Sequence, residues 1–144
     1  MTPDIYNDKR FGISQESISK NALNIISKLH KSGFEAYIVG GGIRDMIKGL
    51  RPKDFDIVTN CEPEEIRKIF RNSRIIGRRF KLVHIAFADE IIEATTFRAG
   101  GTSTTESIEI NERGRIVRDN NWGTQEEDVL RRDLTINSIY CLLY

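Results

Sequence analysis

Two aspartates separated by one residue, Asp54 and Asp56, form the pattern with the clearest chemical meaning in this sequence. They lie in a stretch that we predict to be a β-strand, from Asp54 to Thr59. Because side chains alternate between the faces of a strand, both carboxylates should point one way, and Phe55 and Ile57 should face the core. Carboxylates held together favour a cation between them, and Mg²⁺ prefers one or two carboxylates plus substrate phosphates. The pair therefore predicts a magnesium site for phosphate chemistry, with an exposed strand that happens to carry two acids as the alternative.

A glycine-rich turn precedes the aspartate pair. Gly40, Gly41 and Gly42 follow a predicted strand, residues 35–39, and lead into a short predicted helix that contains Arg44. Glycine lets a backbone approach an anion closely, and a helix N-terminus offers free N–H groups to it. Arg44 can add a charged hydrogen bond to a phosphate. We predict that Gly40, Gly41 and Arg44 bind a nucleotide's phosphates, with an ordinary strand-to-helix turn as the alternative.

Several common site types are excluded or disfavoured by the sequence. A dinucleotide fingerprint that begins at Gly40 requires glycine where Asp45 stands, which disfavours a dinucleotide-dependent oxidoreductase, and no GK[ST] follows as a P-loop needs. Cys61 and Cys141 form no CxxC pair, which argues against structural zinc and a disulfide framework. No apolar run approaches the roughly 20 residues of a membrane helix, and no signal peptide is recognisable. We therefore expect a cytoplasmic protein without a membrane partner.

Three further residues are candidates for the same site. Glu93 lies in a predicted strand, where an acid either faces water or completes an acidic cluster, and the sequence leaves both interpretations open. Arg132 could hold a triphosphate and Asp133 a ribose, whereas ion pairing with Asp128 on the helix surface is the simpler explanation. His84, between Val83 and Ile85, is interpreted as structural and is given no catalytic role.

Positive charge is concentrated in one segment. The net charge is only +1, but residues 67–81 carry arginine and lysine with no acidic residue between them. Such a block is a candidate surface for phosphates, with a solvated face as the alternative. We predict that RNA binds to Arg71, Arg74, Arg78 and Arg79.

A single domain of alternating helices and strands must position these residues. Apolar residues at helical spacing predict a helix from Ser17 to about Gly33, and Thr124 with Glu127 predicts a capped helix near the end. Residues 99–123 predict a mobile loop with a weak strand at 108–110 or 116–117. The other predicted elements are a lead-in at 1–16, a short helix at 43–49, a helix from Pro63, and strands at 82–87 and 91–95.

Four segments in this order resemble the class II tRNA nucleotidyltransferase and poly(A) polymerase family: VGGGIRD (39–45), PKDFDIVTN (52–60), IIEATTF (91–97) and EEDVLRRDLTINS (126–138). The resemblance extends from about Gly33 to the C-terminus. Two more segments, FGISQESISKNAL (11–23) and FRNSRIIGRRFKLVH (70–84), are similar to the poly(A) polymerase branch of that family.

The resemblance implies a nucleotidyltransferase (polymerase-beta-like) fold of the α/β (α+β) class, with a small mixed sheet flanked by helices. Asp54, Asp56 and Asp133 would be active-site residues, supported by Glu93. Mg²⁺ would bind to Asp54 and Asp56, and the nucleotide would contact Gly41, Arg44, Arg132 and Asp133.

The activity implied by the resemblance is addition of AMP from ATP to RNA 3′ ends by a two-metal mechanism. CCA addition to tRNA, or a non-catalytic RNA- or nucleotide-binding module, are the alternatives. Residues 17–144 would form the head domain of a longer protein whose helical domains bind RNA and select the base. The apolar final segment, 138–144, fits a chain that continues.

Overall fold

A six-stranded mixed β-sheet is the centre of the computed structural model, which describes residues 2–100, 108–110, 112–113, 116–119 and 121–143. Within these ranges no helix is long and apolar enough to span a lipid bilayer. The α-helices described are α1 (Asp8–Phe11), α2 (Lys20–Lys31), α3 (Gly41–Ile47), α4 (Pro63–Ile69) and α5 (Gln125–Leu130). The strands are β1 (Ala36–Val39), β2 (Asp56–Thr59), β3 (Ser73–Ile76), β4 (Leu82–Ala86), β5 (Ile91–Thr96), β6 (Ile108–Ile110), β7 (Ile116–Asp119) and β8 (Tyr140–Cys141).

The strand order of the large sheet is β3-β4-β5-β2-β1-β8. The central pair, β2 and β5, is parallel, and every other neighbouring pair is antiparallel. The connection between the two parallel strands runs through α4 and the β3-β4 hairpin. The small mixed sheet with helices that we predicted is thus confirmed.

One face of the sheet carries the hydrophobic core. The stripe of α2, with Ile25, Ile26 and Leu29 almost completely buried, packs there, as its helical spacing predicts. Ile43 of α3 and Ile66 of α4 belong to the same cluster. The sheet contributes Ile38, Ile57, Val83, Ile85, Ile92 and Ala94.

The opposite face has only a small apolar cluster. Val39, Val58 and Phe97 form it, with Tyr37 and Tyr140 packed against them. The rings of Tyr37 and Tyr140 meet edge to face, with centroids 5.9 Å apart. Beside this cluster the face carries a row of polar side chains, and the candidate site lies there.

Several boundaries differ from the sequence-based predictions. The strand predicted from Asp54 begins at Asp56, where pairing with both neighbouring strands starts. The helix predicted from Ser17 begins at Lys20, because the Ser19 hydroxyl accepts a hydrogen bond from the Ala22 backbone N–H and caps it there. The lead-in is not without structure, since it contains α1 and a 3₁₀ turn.

Strands β3 and β8 were not predicted. β3 lies inside the basic block, where arginines obscured the alternation of its apolar residues. β6 and β7 pair with each other in a separate sheet, so a strand forms at both of the positions that were predicted as alternatives. The predicted mobility of residues 99–123 concerns in part 101–107, 111, 114–115 and 120, which lie outside the described residues. The capping box at Thr124 is confirmed.

Candidate active site

A row of polar side chains crosses the exposed face of the sheet. The strand register pairs Asp56 with Glu93, Glu93 with His84, and His84 with Arg74. Residues paired in this way have side chains on the same face. His84 Nε2 lies 3.6 Å from Glu93 Oε2, and both side chains are more than a third exposed. The row therefore runs from acidic on β2 and β5 to basic on β4 and β3.

Asp56 is a carboxylate whose pKa is raised by its surroundings in this site. Burial raises the pKa of its carboxyl, the charges of Glu93 and Asp54 raise it further, and Arg132 lowers it. Asp54 is exposed in the segment just before β2, yet close enough to act on its partner. Phe55 and Ile57 are buried in the core, as the alternation predicted. An excess of negative charge at one point is relieved by a cation.

The carboxylates near Asp56 are the candidate ligands for a metal ion. Among the described residues, no three His, Cys, Asp or Glu side chains cluster tightly enough to hold a metal ion by themselves. Mg²⁺ commonly takes one or two carboxylates and completes its shell with water and phosphate oxygens. Asp54 and Asp56 fit that pattern, and the pKa of Asp56 is raised by burial first and then by the charges of Glu93 and Asp54.

Gly40 forms a turn at the end of β1, on the side of Asp56 away from Glu93. Its backbone has φ 79° and ψ −149°, a conformation that residues other than glycine rarely adopt. A Cβ placed there would lie 3.5 Å from Asp56 Oδ2. The turn consists of this single glycine, because Gly41 and Gly42 already belong to α3.

Packing explains the other two glycines. A Cβ on Gly42 would approach the backbone oxygen of Asp54 to 3.1 Å, so this glycine lets α3 lie close to the segment before β2. A Cβ on Gly41 would lie 3.2 Å from Arg44 Nη2. Arg44 Nε is 3.4 Å from Asp45 Oδ1, and the arginine side chain is 40% exposed. The Arg44 guanidinium is thus near the turn and accessible.

Asp128 anchors α5 over the small apolar cluster. Its carboxylate accepts hydrogen bonds from Arg132 Nε at 3.2 Å and Nη2 at 3.0 Å, from the Tyr140 hydroxyl at 2.6 Å, and from the Arg98 backbone N–H at 3.1 Å. Arg132 also donates from Nη1 to the Asn137 carbonyl at 3.1 Å. The ion pair considered as an alternative role for Arg132 is therefore formed, and the arginine also acts on Asp56 electrostatically.

Asp133 is not joined to the acidic pair by any hydrogen bond or ion pair that we find among the described residues. It is exposed and accepts a hydrogen bond from Asn137 Nδ2 at 3.2 Å. Its active-site role stays a prediction.

The basic block is partly neutralised. Lys68 pairs with Glu65 and Lys81 with Glu64, acids that come just before the block in α4. Arg71, Arg78 and Arg79 are exposed in the turns on either side of β3. Of the four arginines predicted to bind RNA, only Arg74 lies in the row that leads to Asp56.

A protein-family model matches the part of the chain that carries the polar row. The model of the poly(A) polymerase head domain matches residues 36–143, which include every element of the row. The chain belongs to that family. The match also begins and ends within the predicted head domain, 17–144, whose exact boundaries stay a prediction.

Individual relatives of this head domain are consistent with the assignment. The chain is 49% identical over 135 residues to poly(A) polymerase I of Salmonella typhi, covering 92% of this chain and 29% of that protein. It is 50% identical over 135 residues to poly(A) polymerase I of Haemophilus influenzae, covering 91% and 30%. The chain thus spans about 30% of the length of these relatives.

A solved structure confirms the nucleotidyltransferase fold. The CCA-adding enzyme of Bacillus stearothermophilus in complex with CTP superposes with a TM-score of 0.63 at 34% identity, over 83% of this chain and 26% of that enzyme. The identity to the CCA-adding enzyme is lower than the identity to the poly(A) polymerases.

Sequence reasoning named Asp128 as a surface partner of Arg132 and His84 as structural, but it did not place His84 in the polar row or Tyr140 beside Asp128. A signal for His84 was available, because Val83 and Ile85 face the core and the residue between them must face the polar side. Asp128 lies four residues before Arg132, which predicts the pair but not its burial. Nothing local connects Tyr140 to either residue.

Proposed function

We propose that this head domain transfers AMP from ATP to the 3′-hydroxyl of RNA, as part of a poly(A) polymerase. The observation that carries the proposal is the position of Asp56. It lies between the Gly40 turn, 3.5 Å from where a Cβ would be, and Glu93 on the adjacent strand. A reacting phosphate held beside Asp56 would have the turn on one side and an open polar face on the other.

The proposed reaction exchanges one phosphate ester bond for another. The 3′-oxygen of the RNA attacks the α-phosphorus of ATP, a new P–O bond forms, and the bond to the pyrophosphate oxygen breaks. The hydroxyl proton passes to solvent, and pyrophosphate leaves with the electron pair. Most of the rate enhancement would come from orientation and charge neutralisation.

The residues around Asp56 have distinct roles in this proposal. Gly40, Gly41 and Arg44 would hold the triphosphate, because the backbone is open at the turn and the guanidinium is accessible. Asp54 and Asp56 would hold Mg²⁺, which would neutralise phosphate charge and lower the pKa of the attacking hydroxyl. Arg132 would moderate the charge of Asp56 from its fixed position on Asp128.

Poly(A) synthesis is favoured over CCA addition by similarity. The chain is 49% and 50% identical to two poly(A) polymerases and 34% identical to a CCA-adding enzyme. The RNA and ATP partners, and the cytoplasm as the compartment where they meet, belong to the same proposal.

The experiment is single-turnover extension of a labelled RNA by the natural gene product that contains these residues, with Mg²⁺ and ATP, CTP, GTP or UTP supplied separately. A long ladder with ATP alone is expected. Addition of only a few nucleotides with a requirement for CTP would favour CCA addition. RNA binding without extension by any nucleotide would favour the non-catalytic module.

Two variants sharpen the extension experiment. Asp54→Ala should abolish extension, because one of the two proposed metal ligands is lost. Asp89→Ala is the matched control, since Asp89 is an exposed acid in the β4-β5 turn that bonds to Asn21. Wild-type extension by Asp54→Ala would refute the assigned mechanism.

A further inference from the structure

A cleft of about 380 Å³ lies at the basic end of the polar row. Arg74 and His84 lie in one row across its floor, with Ala86 and Ile91 on one side of that row and Ile76 on the other. All five lie on the face of the sheet opposite the core. The cleft is therefore amphipathic, with a basic row that has apolar residues on both sides.

Arg74 differs in its charge environment from the two lysines of the block. Lys68 and Lys81 pair with glutamates of α4, whereas Arg74 has no acidic partner among the described residues. His84 links this arginine to Glu93 through the strand register. Ile91 is 58% exposed, which is unusual for isoleucine at the start of a paired strand. The cleft thus offers an unneutralised cation beside an uncovered apolar surface.

The cleft and the Gly40 turn lie on opposite sides of β2. β1, with the Gly40 turn at its end, and β5 flank β2 on opposite sides. The cleft begins on the β5 side, and His84 is two strands from Asp56, roughly 10 Å across the sheet. If the triphosphate lies at the Gly40 turn, the row of side chains on the other side of Asp56 extends through Glu93 and His84 to Arg74.

We infer that this cleft binds the 3′-terminal segment of the RNA acceptor, with a backbone phosphate on Arg74 and a base or ribose against Ile91. The inference rests on the proposed function and names the acceptor subsite of that site. A nucleotide complements both parts of the cleft, because it has an anionic phosphate and an apolar base face. Binding there would orient the strand so that its 3′-hydroxyl points along the row toward Asp56.

The first test measures binding of a short 5′-labelled oligoadenylate to this chain by fluorescence anisotropy, with ATP binding measured in parallel. Arg74→Glu should weaken RNA binding by about tenfold or more, as loss of one charged hydrogen bond predicts, and leave ATP binding unchanged. The slope of log affinity against log salt should fall by about 0.7, the value for one phosphate of a single strand. Ile91→Asp should also weaken RNA binding.

Lys31→Glu is the control for general charge effects. Lys31 is exposed at the end of α2, which packs on the other face of the sheet, and the substitution makes the same change in net charge. Equal weakening by Lys31→Glu and Arg74→Glu would overturn the inference. So would unchanged RNA binding in Arg74→Glu, loss of ATP binding without loss of RNA binding, or no measurable RNA binding by the unmodified chain.

A second test locates the phosphate. One neutral methylphosphonate linkage is placed at the 3′ end of the oligoadenylate or, for comparison, at the 5′ end. The 3′ replacement should weaken binding to the unmodified chain but not to Arg74→Glu, because the contact is already lost there and a neutral linkage removes repulsion from the glutamate. Additive effects would overturn the inference even if extension with ATP remained dependent on Asp54, so the two proposals fail separately.

Discussion

Asp128→Ala is expected to lower the free energy of unfolding by about 3 kcal/mol, because the substitution leaves a buried arginine without its counter-charge. The Asp128 and Arg132 side chains are only 10% and 23% exposed, so solvent screens their interaction little. Alanine would also remove the acceptor for the Tyr140 hydroxyl and for the Arg98 backbone N–H. The change therefore affects α5, β8 and the end of β5 together.

The magnitude follows from what remains after the substitution. Loss of one partner of a buried ion pair costs about 3–5 kcal/mol. The lower end applies because Arg132 keeps the Asn137 carbonyl and the Tyr140 hydroxyl as partners. For a chain of this size, that loss corresponds to a fall in Tm of about 10 °C.

Thermal and urea unfolding of a small set of variants would measure the effect. Tyr140→Phe should cost about 1–3 kcal/mol, because the hydroxyl donates to Asp128 and accepts from Arg132, and both hydrogen bonds are lost. Asp128→Ala combined with Arg132→Met should be more stable than Asp128→Ala alone, since no charge is left unpaired. Asp133→Ala is the control, because Asp133 is exposed, and it should change stability by less than about 0.5 kcal/mol.

The double variant, Asp128→Ala with Arg132→Met, tests whether an unpaired arginine charge causes the loss of stability. If Asp128→Ala costs less than about 1 kcal/mol, the network does not stabilise the fold as its geometry suggests. If adding Arg132→Met makes the protein still less stable, the cost of Asp128→Ala comes from lost packing and not from an unpaired charge.

Three further outcomes are expected. Asp56→Asn should raise Tm at pH 7 but not near pH 3. Burial, Glu93 and Asp54 raise the pKa of Asp56 in the folded state, so ionisation of this carboxyl above its ordinary pKa of 3.8 lowers the stability of the wild-type protein. An equal Tm for the two proteins at pH 7 would contradict this. Gly40→Ala should cost about 1–3 kcal/mol in urea unfolding, because φ is 79° there, whereas Gly41→Ala, with helical backbone, should cost less. Cys61, whose pKa burial raises to about 12, should resist iodoacetamide at pH 8 until the protein unfolds, and rapid labelling of the native protein would argue against its burial.

Local patterns predicted much of the fold. The buried stripe of α2, the core positions of Phe55 and Ile57, and the capping box at Thr124 all follow from residue spacing within one element. Strand β3 was missed because its arginine and the charged residues around it hide the alternation in a strand of four residues. β8 was missed because a two-residue strand exists only through its pairing with β1.

The candidate site was predicted unevenly for the same reason. Asp54, Asp56 and Gly40 are close in sequence to the elements that orient them, so their types and spacing suffice to propose a metal and phosphate site. Glu93 could not be placed, because its direction depended on which strands adjoin β5. The structure puts it opposite Asp56 and beside His84.

What the sequence determined by itself is the set of chemical groups and the elements that carry them: an acidic pair, a glycine turn and a basic block, on alternating helices and strands. Only the tertiary structure decided which of these groups meet. It joined Arg74 to Asp56 through two intervening strands, and it buried Asp128 against Arg132 and Tyr140. The physical reason is that strand order and burial come from pairing and packing between residues far apart in the chain, which no local pattern encodes.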